Sequence, residues 1–142
     1  VKSVARKVIL DGIDFPPEKT GFAAYRATVE AAKIRADPEI AWLLEKPCLN
    51  IWIGEDRHVM TYTIAAGESF NMVLSHVDLT DPSTWTPESA IEDMQSYFTG
   101  WDPRLTKIIG MIEKRVKWPL LSGKLLPRWI ARSNKVIIGS NF

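Results

Sequence analysis

The sequence predicts an α+β domain whose sheet is mainly antiparallel, of mixed type, with helices on one side. Three observations carry this. Residues 50–76 form three strand-like runs separated by short polar or small-residue gaps, the spacing of antiparallel neighbours. Thr86-Pro87-Glu88 and Asp102-Pro103 each open a stretch with the start signal and apolar period of a helix. The resulting order is helix, strand, helices, three strands, two helices, two strands.

Val1, Val4, Ala5, Val8 and Ile9 recur at helical spacing, so a short helix runs from near Ser3 to Asp11-Gly12. Pro16-Pro17 ends regular structure. Residues 20–29 are rich in Thr, Tyr, Phe and Val and predict a strand. Residues 30–45 turn helical, with Asp37-Pro38 as N-cap and first-turn proline and Ile40, Leu43 and Leu44 as the apolar stripe. The meander follows as strands over 50–53, 57–64 and 70–76, and residues 78–85 form a loop. The next helix packs through Ala90, Ile91, Met94, Tyr97 and Phe98, and Gly100 closes it. Leu105, Ile108, Ile109 and Ile112 fall at i, i+3, i+4, i+7 and mark the helix after Asp102-Pro103. Strands over 115–121 and 136–138 complete the expectation, with 125–129 irregular.

A chain of 142 residues fits a single domain that can bury a core unaided. Hydrophobic residues at 46% and charged residues at 25% are the balance of a globular protein. Eighteen basic against seventeen acidic residues leave a net charge of +1, so no global field points to nucleic acid or an anionic membrane. No apolar run approaches the ~20 residues that span a bilayer, and residues 1–13 carry charges rather than a signal pattern, which makes the cytoplasm the expected compartment. The one cysteine, Cys48, admits no intrachain disulfide and is expected to be a buried small hydrophobe.

No GxGxxG, Walker loop, HExxH or GxSxG is present, and no catalytic residue is assigned. His58 and His76 have no Cys or carboxylate at ligand spacing, so no metal site is expected; Glu92 and Asp93 are expected to face water. The strand over 57–64 is the most suggestive stretch. Alternation puts His58, Met60, Tyr62 and Ile64 on one face and Val59, Thr61 and Thr63 on the other. His58 and Tyr62 are roughly 13 Å apart at ~3.3 Å per residue, too far to bond each other but spaced to hold both ends of a planar ligand over Met60. An ordinary half-buried strand is the alternative reading. Arg26 offers a bidentate carboxylate clamp, but Tyr25 beside it must point to the opposite face. Ser3 with Arg6 suits either a phosphate at a helix start or simple capping.

Several motifs, in order, resemble the middle portion of the FAD-dependent aromatic hydroxylases, the class A flavoprotein monooxygenases, and most nearly fungal enzymes similar to salicylate hydroxylase. Residues 1–6, VKSVAR, are similar to the end of the family's GADGxxSxxR motif. Residues 20–26, TGFAAYR, resemble the strand entering its substrate domain, and His58-Val59-Met60-Thr61-Tyr62 its HxxxY strand. Gly100-Trp101-Asp102-Pro103, Trp118, Leu126-Pro127-Arg128-Trp129 and Lys135-Val136-Ile137-Ile138 follow the run toward its second flavin motif.

The resemblance implies a single substrate-binding region over 1–142, with 1–12 the end of the Asp-Gly motif region, 20–130 the sheet and helices, and 131–142 the return toward an FAD domain. It implies FAD as cofactor, NADH or NADPH as reductant, and a hydroxylated small aromatic such as salicylate. His58, Met60, Tyr62 and Arg26 become candidate substrate contacts, and Ser3 and Arg6 candidates at the cofactor. The 142 residues carry neither GxGxxG nor the family's GDAAH, so the expectation is a substrate-binding fragment that does not hold FAD by itself. The alternative is a non-catalytic remnant that binds an aromatic ligand or a protein partner. A face shaped to lie against a flavin is expected to be left apolar and to favour self-association.

Overall fold

The computed structural model describes residues 4–13, 16–86 and 89–139. It has a five-stranded sheet in the order β2-β3-β4-β1-β5, formed by β1 (Glu18–Glu30), β2 (Asn50–Gly54), β3 (Arg57–Ile64), β4 (Ser69–Val77) and β5 (Lys114–Ser122). The pairs β2·β3, β3·β4 and β4·β1 are antiparallel. The chain divides into two compact units, residues 21–119 and residues 1–20 with 120–142.

In the larger unit one face of the sheet is closed by helices. Tyr25, Ala27 and Val29 of β1, Val59 of β3, and Phe70, Met72 and Leu74 of β4 alternate onto that face and are buried. Against them pack Ile34 of α2 (Ala31–Arg35), Met94 and Phe98 from α3 (Ser89–Tyr97) and its end, and Leu105, Ile108 and Ile109 of α4 (Pro103–Gly110). The α4 start is as its sequence requires: Asp102 Oδ1 accepts the Arg104 amide at 2.9 Å, and Pro103 occupies the first turn, where its missing N–H costs nothing.

The fold class and the meander agree with expectation, and three local expectations are corrected. Residues 30–45 hold the five-residue α2 and a separate 3-10 turn, Ala41–Leu44, instead of a helix capped at Asp37. Asp37 does accept the Glu39 amide, at 3.0 Å, but Ile40 leaves helical geometry at φ −122° and ψ −8° and Pro47 follows too soon for an α-helix to grow. The 78–85 loop contains a 3-10 turn, Pro82–Thr84, capped by Asp81. Residues 136–138 form only a bridge, Ile130 to Ile137, in place of a strand. Cys48 is exposed, because it precedes the edge strand β2 where only one face is covered. Pro87, Glu88 and the side chains of Ala90 and Ile91 lie outside what is described.

The smaller unit contains α1 (Val4–Ile9), whose Ile9 and the following Leu10 pack with Leu126 and Ala131. Arg128 Nε donates to the Ile9 carbonyl at 2.6 Å, and its Nη2 pairs with Asp11.

Candidate functional site

The second face of the sheet carries the candidate site. Pairing places His58, Ser75, Ala24 and Ile53 in one row across the strands, Met60, Val73, Arg26 and Ile51 in the next, and Tyr62, Asn71 and Thr28 in the third. His58, Met60, Tyr62 and Arg26 therefore share one face, with β4 between Arg26 and the other three. Strand spacing sets Arg26 about 10 Å from Met60 across the sheet. Tyr25 points into the core, as alternation requires. Arg26 is exposed and makes no hydrogen bond or ion pair to another described residue. The face around it is apolar and accessible through Phe22, Ile51, Ile53, Tyr62, Ile64, Val116 and Trp118. At its His58 end, Phe22, Ile51, Ile53, His58 and Met60 line an open depression of about 430 Å³. The arrangement is a flat apolar wall with an imidazole, a phenol and a guanidinium at separate points of its edge, which suits a planar ligand bearing polar substituents. Ser3 lies outside the described residues, and Arg6 sits on α1 in the smaller unit.

Behind the His58 end, on the helix-covered face, lies a polar cluster that spacing alone did not reveal. His76 is fully buried, its ring 5.0 Å from that of Tyr25 with planes 10° apart, and 4.0 Å from that of Tyr97. His76 Nε2 stands 3.4 Å from Asp78 Oδ2, and Lys117 Nζ of β5 lies 2.5 Å from the same oxygen. Lys117 also lies over the rings of Trp85, at 4.5 Å, and Tyr25, at 5.2 Å. The other carboxylate oxygen of Asp78 accepts the amide of Thr80 at 2.8 Å and its hydroxyl at 2.5 Å; that hydroxyl accepts the Trp85 indole N–H at 2.7 Å. Arg57, in register with His76, lies over the Tyr97 ring and donates to the Tyr97 carbonyl.

Burial alone raises the Asp78 pKa, but the hydrogen bonds from Lys117 and Thr80 outweigh it and hold the carboxyl down at about 2. Burial, and next the Lys117 charge, push the His76 imidazole below its ordinary value; Asp78 and the Leu74 backbone oppose them. Tyr25 is raised, chiefly by burial. Phe70, Met72, Leu74 and His76 alternate along β4, and that alternation puts the histidine on the buried face.

No protein-family model matches the chain. It is 31% identical over 127 residues to "FAD-dependent monooxygenase OpS4" of Beauveria bassiana, a match covering 89% of this chain and 30% of that protein. The FAD complex of CtdE superposes with TM-score 0.65 at 26% identity, over 95% of this chain and 37% of CtdE. A salicylate hydroxylase substrate complex shares the fold alone, with TM-score 0.65 and 22% identity over 92% of this chain and 34% of that one. The chain thus spans about a third of the length of the proteins it matches. Over that third it is similar in sequence and fold to the FAD-dependent monooxygenases, the family that its ordered motifs resemble.

Proposed function

We propose that the open sheet face is the substrate wall of an FAD- and NAD(P)H-dependent monooxygenase that hydroxylates a small aromatic compound of the salicylate type. The observation that supports it is the shared face of His58, Met60, Tyr62 and Arg26 around an accessible apolar floor. In this reading Met60 underlies the ring, His58 and Tyr62 bond ring substituents at its two ends, and Arg26 receives an anionic group. The apolar floor displaces water from the ring. Bound FAD would supply the oxidative chemistry and NADH or NADPH the reducing equivalents. The wall fits one face of a flat ring, but the chain has no GxGxxG loop for the pyrophosphate of FAD, so no step is assigned through the flavin. Arg6 and Ser3 are proposed at the cofactor's edge on the family resemblance.

The test is a titration of the purified chain with salicylate, with and without FAD and NADH, followed by NMR at the Met60 methyl and the two histidines. Progressive shifts at Met60 and His58, reduced by Arg26→Gln or Tyr62→Phe, are expected. Shifts confined to other surfaces would remove the assignment. The same face supports a second reading, a non-catalytic aromatic-binding module, and a flavin response to added salicylate would count against it. That face also supports self-association, and Ile53→Lys is then expected to lower the sedimentation coefficient of the associated species.

A further inference from the structure

We propose that His76, Asp78 and Lys117 form a proton-sensitive latch that ties the 78–85 loop and β5 to the end of β4, and that protonation of His76 releases it. One carboxylate oxygen of Asp78 serves both Lys117 Nζ, at 2.5 Å, and His76 Nε2, at 3.4 Å. With a neutral imidazole this arrangement is one anion against one cation. A proton taken from solvent by the imidazole places a second cation on the same carboxylate, in a site that solvent does not reach to screen.

From β1 the His76 ring meets the neutral Tyr25, and from α3 the neutral Tyr97. On β3 its register partner is the permanently charged Arg57, which lies over the Tyr97 ring; from β5 Lys117 acts on the imidazole, while Arg115 of the same strand acts on Tyr25. Among the described residues a further acid, Asp93 of α3, lies 3.9 Å from Lys117 and is half exposed. Asp93 is therefore the alternative partner to which Lys117 moves when the imidazole charges. Such a move takes the ammonium off Trp85, whose indole N–H is tied through Thr80 to Asp78.

The chain has two histidines, so its imidazole resonances are assigned with a single variant, His58→Gln. The experiment follows both imidazoles and the Trp85 indole N–H of the intact chain by NMR from pH 8 to 4.5, with core methyl signals reporting global unfolding. The expected result is a reversible His76 titration below pH 6.5, with the Trp85 signal moving at the same midpoint while the core methyls stay in place. Lys117→Met is expected to move the His76 midpoint up, because Asp78 then serves the imidazole alone, and Asp78→Asn to move it down. His76 titrating without Trp85, or staying neutral until the core signals collapse, would overturn the latch. So would equal midpoints in the wild type and in whichever of the two variants folds.

Discussion

Lys117 Nζ meets Asp78 Oδ2 at 2.5 Å with the two side chains 5% and 0% exposed, a buried ion pair linking β5 to the end of β4. Removing one member leaves the other buried without its opposite charge. Lys117→Ala is expected to destabilise the fold by about 3–5 kcal/mol, and the double variant Lys117→Met/Asp78→Asn by much less than the sum of its singles. Urea unfolding at pH 7 measures both.

The same carboxylate sets an acid limb of stability. Its pKa falls from 3.8 to about 2 on folding, so the folded state binds fewer protons in that interval. The contribution is fully present above pH 3.8 and is lost as pH falls toward 2, amounting to about 2 kcal/mol. The His76 contribution has a different window: a depressed imidazole pKa means that stability is lost as pH falls below 6.5. Urea midpoints collected from pH 7 to 2.5 are expected to show two separate declines, and His76→Phe to remove the upper one.

Gly54 ends β2 beneath the indole of Trp101: a Cβ built there lies 2.6 Å from its Cζ2. Gly54→Ala therefore requires Trp101 to move off Phe98, whose ring it meets edge-on at 5.2 Å. A loss of about 1–3 kcal/mol is expected. Combined with Trp101→Leu, the alanine should cost far less than it does alone, which a double-mutant cycle in urea reads directly.

Thr61 on β3 is fully buried and its hydroxyl has no hydrogen-bond partner. Thr61→Val keeps the shape and deletes an unpaired polar atom, so a gain of about 1 kcal/mol is expected. A loss in the thermal midpoint would mean that the hydroxyl is paired in solution.

How far the sequence foretold these sites depends on the range of the interactions that make them. The α4 helix was legible because Asp102-Pro103 and the Leu105 to Ile112 period are local signals, and the meander because its turns are short. The common face of His58, Met60 and Tyr62 follows from alternation within one strand, whereas Arg26 joins it only through the β1·β4 register, some fifty residues apart in sequence. The latch was illegible for a related reason. His76 and Asp78 are neighbours in sequence, but Lys117 reaches them only because β5 adds to the sheet beside β1, and a lone Lys in a polar strand reads as a solvated residue. No single helix fills residues 30–45, because the local cap at Asp37 is followed by too few residues to propagate one.

The turn from β3 to β4 concentrates backbone strain, and this yields the last prediction. Ala65, Ala66 and Gly67 all have positive φ, at 51°, 55° and 91°. Only the third is the residue that adopts this region freely, and each alanine there costs about 1–2 kcal/mol. The turn persists because its ends are tied: Glu68 donates its amide to the Ala65 carbonyl at 3.1 Å, Ala31 donates to the Glu68 carbonyl at 3.0 Å, and Arg35 grips the Gly67 carbonyl at 2.8 Å. Ala66→Gly relieves the local strain but increases the freedom of the unfolded chain by about 0.4–1 kcal/mol. The difference predicts a net stabilisation of about 0.5–1 kcal/mol, seen as a higher urea midpoint at unchanged slope. Ala66→Val, which adds a β-branch to the same φ, is expected to lower the midpoint, and Arg35→Met to reduce the effect of both, because the turn is then free to relax away from the strained φ.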